Sequence, residues 1–219
     1  MAGAAAFRIR RMADIGEAVR EAETVRKATA VELPALASVL ASAFYDDPQF
    51  VWAIPDESRR LLILERGFGL YLRKLWFPLD ECYTTGGIVG AAIWVPPGEW
   101  ETSPWQQLRL LPAMAAAFRR YLPRVIRAVA ALEANHPHER HWYLPFIGVD
   151  PDWQGRGIGA ALMRPIRDRC DGDRLPAYLE ASNPRNRSLY ERHGFEVTEE
   201  FRIGKGAPPI WRMWREPAG

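Results

Sequence analysis

Around residue 150 the chain reads Ile147-Gly148-Val149-Asp150-Pro151-Asp152-Trp153-Gln154-Gly155-Arg156-Gly157-Ile158-Gly159-Ala160-Ala161-Leu162. A short apolar strand runs into a glycine loop, and the loop opens a helix of apolar period. Such a loop aims several backbone N–H groups at one point, at the positive end of a helix dipole, which is a site for an anion such as a pyrophosphate. Glycine suits these positions because a Cβ would stand in the way of approaching phosphate oxygens. Three anion readings compete with a plain turn that binds nothing. A Walker loop is excluded, since no Gly-Lys-Ser/Thr follows. A dinucleotide fold fits on paper: Gly155, Gly157 and Ala160 satisfy G-x-G-x-x-G/A, and Glu180 lies about twenty residues on. However, Asp150 to Gln154 intervene between strand and loop, and too little chain remains for the further βα units that fold needs. The third reading is coenzyme A.

That reading rests on two motifs. Gln154-Gly155-Arg156-Gly157-Ile158-Gly159 matches Q/R-x-x-G-x-G/A, and Asn183-Pro184-Arg185-Asn186-Arg187-Ser188-Leu189-Tyr190-Glu191-Arg192-His193-Gly194-Phe195 matches N-x-x-N/A-x-x-L-Y-x-x-x-G-F. In this order and spacing they resemble the GNAT superfamily of N-acetyltransferases over roughly residues 141–200, with a looser similarity to its puromycin-type small-molecule branch. The resemblance implies acetyl-CoA as the acetyl donor, no metal, and direct transfer to a primary amine. It implies that Ile147, Gly148 and Val149 offer backbone groups to the pantetheine arm, with the amide of Ile147 or Gly148 facing the thioester oxygen. It implies that Gln154, Gly155, Arg156, Gly157, Ile158, Gly159 and Ala160 surround the pyrophosphate, that Asn186 bonds the pantetheine, and that Tyr190 protonates the leaving thiolate. A free thiol titrates near ~8.5 and a tyrosine near ~10, so a nearby tyrosine is a workable acid.

The acceptor amine must lose a proton, because an alkylammonium near ~10 is only about 0.1% neutral at pH 7. Glu180, at the end of the apolar run Pro176 to Ala181, is the candidate base; an ion pair with an arginine is the competing role. His136, His138 and His141 lack the cysteines or carboxylates that would complete a metal set, and read as an exposed loop. His193 reads as structural and Asn183 as a helix cap. Trp94, Trp100, Trp105, Phe118, Tyr121, Trp142, Tyr143, Trp211 and Trp214 fall near the expected acceptor groove. They suit a bulky, partly apolar amine, although core packing is the ordinary role for each.

The elements that must position these groups form a mixed α/β order, one N-acetyltransferase domain over 24–216 with a helical insertion at about 98–138. Residues 1–23 read as a loose or helical extension. The expected strands are 24–29, 81–85, 88–95, 141–149, 176–181, 195–203 and 209–214; the resemblance implies that they form a mixed, mostly antiparallel sheet of six to seven strands, with strands 4 and 5 splayed and helices on both faces. Helices are expected over 32–44, 58–76, 157–170 and 186–193, with a helical stretch over 105–132 broken at Pro112 and Pro123, and a kink at Pro165. With 219 residues and a net charge of +2, the chain suits one well-cored domain and is too weakly basic to suggest nucleic acid. No apolar run approaches the ~18 residues that span a membrane. Two cysteines give no disulfide framework, and arginine and alanine are frequent; a reduced, cytoplasmic, bacterial enzyme is expected, with a homodimer left open.

Overall fold

A computed structural model describes residues 24–218; the extension expected over 1–23 lies outside the described residues. Seven strands form one sheet: β1 (Val25–Lys27), β2 (Cys82–Thr85), β3 (Gly90–Val95), β4 (Trp142–Val149), β5 (Ala177–Ala181), β6 (Glu196–Phe201) and β7 (Ile210–Arg215). The spatial order is β1-β2-β3-β4-β5-β7-β6. Every neighbouring pair is antiparallel except β4 and β5, which run parallel. The helices are α1 (Leu33–Ala43), α2 (Pro48–Ala53), α3 (Glu57–Tyr71), α4 (Pro104–Phe118), α5 (Leu122–Ala134), α6 (Ile158–Asp173) and α7 (Pro184–Arg192).

The sheet is covered on both faces, and the alternation of strand side chains shows how. In β3, Ala91 and Ile93 pack with Leu36, Leu40, Leu64 and Phe68 of α1 and α3. Ala92 and Trp94 point the other way, toward Leu162 and Ile166 of α6 and Tyr190 of α7. A strand buried on both sides reads as a continuous apolar run, as Gly90 to Val95 does.

The feature that makes a site is a bulge in β4. Val95 pairs with Tyr143, but Ile93 pairs with Phe146, so two steps of β3 face three of β4. The extra residue falls at Leu144–Pro145, and Pro145 has no N–H to give a ladder. Pairing of β4 with β5 ends at the same place, Leu144 opposite Leu179. Beyond it, β4 continues along β3 as far as Val149 opposite Gly90, leaving its other edge without β5.

Some helical expectations change. Pro112 lies inside α4 rather than breaking it. Leu110, Met114, Ala117 and Phe118 bury one face of α4, while Pro112 is exposed on the other, where water can take up the freed carbonyl. The break comes instead at Arg119, with φ 51° and ψ −124°. Pro123 starts α5, as a proline in a first turn can. The helix expected over 58–76 ends at Tyr71, and Leu72–Trp76 continue as a wider π-helical turn. Tyr45-Asp46-Asp47-Pro48 ends α1 as expected but also begins α2, with Asp47 capping the Gln49 amide at 2.9 Å. Pro165 sits within an otherwise regular α6.

Candidate active site

Between β4 and α6, Pro151–Trp153 form one 3₁₀ turn, begun by Asp150, whose carboxylate accepts from the Asp152 amide at 3.0 Å. Gly155 and Gly157 then take φ of +77° and +83°, the left-handed region where a Cβ is penalised. Nothing stands within 4 Å of where either Cβ would be, so the loop face is open. The first backbone bond of α6 runs from the Ala161 N–H to the Gly157 carbonyl. The N–H groups of Ile158, Gly159 and Ala160 therefore have no acceptor within the helix and point out of its N-terminus. This is a fit for a pyrophosphate. The Gln154 amide donates to the Val149 carbonyl at 3.1 Å, and the Arg156 guanidinium lies 4.7 Å over the Trp153 ring.

Along β4 the direction of each amide follows from alternation. The Asp150 N–H donates to Val89 at 2.9 Å, so Gly148, two residues earlier, also turns its amide toward β3. Ile147 and Val149 turn theirs to the open edge. Of the two amides that could face a thioester oxygen, Ile147 is therefore the one aimed into the gap. Gly148 is needed for another reason: a Cβ there would sit 2.8 Å from the Ala43 Cβ of α1.

The gap opens into a cavity of about 410 Å³ that reaches under α4 and α5. Pro145, Phe146, Ile147, Asn186 and Tyr190 line the end nearest the gap; Asp47, Ser182 and Glu180 also reach the cavity. Tyr190, 7% exposed, is carried on α7, whose N-terminus Asn183 caps by accepting from the Arg185 amide at 3.0 Å. Burial, helped by the Asp47 charge, pushes the Tyr190 phenol above its ordinary range. Asp47 was not among the expected site residues. It is buried, Ser182 donates to it at 2.5 Å, and desolvation raises its carboxyl despite that bond. The signal in the sequence was Asp47-Pro48, which reads locally as a helix start and gives no hint of a pocket.

Among the described residues no arginine pairs with Glu180, although Arg212 stands opposite it in β7. Arg212 Nη1 bonds Glu199 at 2.6 Å. The Glu180 side chain is 6% exposed, its Oε1 has no hydrogen-bond partner among the described residues, and His136 Nδ1 lies 3.8 Å away. Burial first, and then the Glu180 charge, raises the phenols of Tyr143 and Tyr178 beside it. The histidines differ from expectation. His138 is exposed, but His136 and His141 are buried, with their Nε2 atoms 3.0 Å apart. No cluster of three or more metal-binding side chains occurs among the described residues. His193 faces Arg167 at 2.7 Å, away from the cavity.

The aromatic walls come mainly from elements other than the long connection. Phe44, Phe50, Phe68 and Phe146 form one cluster, with Phe68 and Phe146 centroids 5.1 Å apart, and Trp76 joins at 5.2 Å from Phe146. Trp100, Phe118 and Tyr143 line the cavity as expected. Trp94, Tyr121, Trp142 and Trp211 are core residues, Trp105 is 72% exposed, and Trp214 is outside the lining.

Comparison with known proteins bears on family and fold. The profile of the acetyltransferase (GNAT) family matches residues 70–195. An uncharacterized N-acetyltransferase of Schizosaccharomyces pombe is 26% identical over 200 residues, 83% of this chain and 78% of that protein. The crystal structure of a histone acetyltransferase HPA2 and related acetyltransferase from Corynebacterium glutamicum superposes with a TM-score of 0.68 at 28% identity, covering 90% of this chain and 97% of that one. A polyamine N-acetyltransferase of Drosophila melanogaster shares the fold, with a TM-score of 0.58 at 15% identity over 88% and 99% of the two chains. The chain is an acyltransferase and belongs to the acetyltransferase (GNAT) family.

Proposed function

We propose that this protein transfers the acetyl group of acetyl-CoA to the primary amine of a small molecule, in the cytoplasm. The observation that carries the reading is the continuity of one path. The amide-rich N-terminus of α6, the open edge of β4 at Ile147, and Tyr190 and Glu180 on the cavity wall follow one another in space. Enclosure by apolar side chains favours a small acceptor over a protein surface. That the Drosophila protein is named for a small amine lends support from fold alone. Both cysteines are free and buried, as suits a reducing compartment.

Bound acetyl-CoA supplies an activated thioester carbonyl. The amides of Ile158 to Ala160 hold its pyrophosphate. The Ile147 N–H donates to the carbonyl oxygen as charge develops there. Glu180 Oε1 receives one proton from the acceptor ammonium. The nitrogen then bonds the acetyl carbon and the carbon–sulfur bond breaks. The Tyr190 hydroxyl gives its proton to the departing sulfur, and the second nitrogen proton restores the phenol. The balance is amide, thiol and one released proton.

A second reading, acetylation of lysine or N-terminal groups in proteins, is favoured by the name of the Corynebacterium relative. Thiol release from acetyl-CoA against a panel of amines, polyamines and lysine peptides separates the two. Turnover with small amines and none with peptides is expected. Turnover with peptides alone would replace the proposal. Coenzyme A binding without any turnover would point instead to a regulatory acyl-CoA-binding module.

A further inference from the structure

We infer that His136 and His141 complete the base of this site: His141 fixes the tautomer of His136, and His136 shares with Glu180 the proton taken from the acceptor. The inference rests on the acetyl-transfer reading. It begins from a proton inventory. His141 Nδ1 lies 2.6 Å from the Glu139 carbonyl, and a carbonyl only accepts, so Nδ1 carries a proton. Burial, the largest cause, lowers the His141 pKa to about 4, so the ring is neutral near pH 7 and its Nε2 bears a lone pair. His136 Nε2, 3.0 Å away, must then be the donor. In the neutral ring this leaves His136 Nδ1 as an acceptor, facing Glu180 Oε1 at 3.8 Å.

Two acceptors that face each other at 3.8 Å make no hydrogen bond. One added proton turns them into a charge-assisted pair, for which ~2.7–2.9 Å is usual. With the ring neutral and the carboxylate ionised, the pair has a place for one proton. A primary ammonium entering the cavity brings that proton. The step breaks an ammonium N–H bond and passes its proton to the position shared by Glu180 Oε1 and His136 Nδ1, and the free amine is left to attack. The proton returns to solvent after product leaves, because His136 lines a second, outer pocket as well as the cavity.

Other polar groups face this pair, and the Tyr143 and Tyr178 hydroxyls interact with Glu180. On its own segment His136 has the exposed His138 and Glu139. From α5 comes Glu133, from just before β4 His141, from β4 Tyr143, from β5 Tyr178 and Glu180, and from β7 Arg212, already bonded to Glu199. Trp100 stacks on the His136 ring at 3.9 Å between centroids and holds its plane. His141 bonds His136 and the Glu139 carbonyl and is absent from the cavity lining, so it is a positioning residue, whereas His136 lines the cavity.

The test has two arms. In ¹⁵N-histidine spectra at pH 7, assigned with His136→Gln and His141→Gln, His136 should carry its proton on Nε2 and His141 on Nδ1. The opposite tautomer at His136 overturns the inference, with or without activity. In kinetics, His136→Gln should lower kcat/KM for the amine at least 10-fold at pH 7, leave the KM for acetyl-CoA within 2-fold, and recover toward wild type as pH approaches the amine's own range. His141→Gln should displace the acid limb of the same profile. Unchanged profiles in both folded variants overturn the inference while amine turnover by wild type keeps the transferase reading. If wild type binds coenzyme A but turns over no amine, the transferase reading fails and this one with it. Should either variant unfold, the wild-type tautomers decide.

Discussion

Tyr190 and His141 show how burial sets the roles of single residues. Burial and Asp47 raise the Tyr190 phenol above 10, so its acidic form persists through the range in which a thiolate leaves. Tyr190→Phe is expected to lower kcat by 10- to 100-fold and leave coenzyme A binding by calorimetry unchanged. For wild type, kcat should show no descending limb from this group below pH 10; a limb there would remove Tyr190 as the acid. His141 has the opposite sign. Its folded pKa of about 4 lies below the usual 6.5, so between those values the unfolded chain binds more protons. Stability therefore falls as pH drops from 6.5 toward 4, with a slope from this group of up to about 1.4 kcal/mol per pH unit. Asp47, whose carboxyl is raised, works against it at the acid end. Urea midpoints at pH 7, 5.5 and 4.5 should fall for wild type and fall less for His141→Gln. Equal slopes in the two proteins would mean His141 is not held neutral.

At the scale of elements, β4 carries most of the design. Its bulge at Leu144–Pro145 ends the β5 ladder, and its tail from Pro145 to Val149 lies between β3 and the gap. Gly148 keeps that tail close to α1. Gly148→Ala would place a Cβ 2.8 Å from Ala43 and 3.2 Å from a Leu40 methyl, an overpacking expected to cost about 1–3 kcal/mol and to lower the melting temperature. Gly157→Ala differs, since nothing crowds its Cβ and the cost of φ +83° is about 1–2 kcal/mol of backbone strain. If the α6 N-terminus holds the pyrophosphate, Gly157→Ala weakens coenzyme A more than pantetheine, which lacks that group. Equal losses for both ligands would place the anion elsewhere. These local elements were legible because glycines, caps and alternating apolar residues act within a few positions of one another. Where such rules misled, water explains it: Pro112 stays in α4 because its freed carbonyl is at the surface.

Across the whole molecule, the cavity has contributions from both halves of the chain, and this is the part least readable in advance. The glycine loop, Tyr190 and Glu180 were found from one contiguous stretch. Asp47, nearly 140 residues from Ser182, meets it only because α2 docks near the end of β5. His136 and Trp100 come together from opposite ends of the helical insertion. No period or spacing encodes such meetings; they follow from which apolar faces pack. On the proposed function the same packing sets acceptor choice. Phe44, Phe50, Phe68, Trp76 and Phe146 supply a continuous apolar wall beside the base, so each methylene an acceptor buries there should contribute about 0.8 kcal/mol, roughly 4-fold in kcat/KM. Across straight-chain primary amines, kcat/KM should therefore climb with length until about 410 Å³ is filled, then level or fall. Phe146→Ala should move that maximum to a longer or bulkier amine. A flat series for wild type, or a maximum unmoved in the variant, would mean that the amine is recognised outside this cavity.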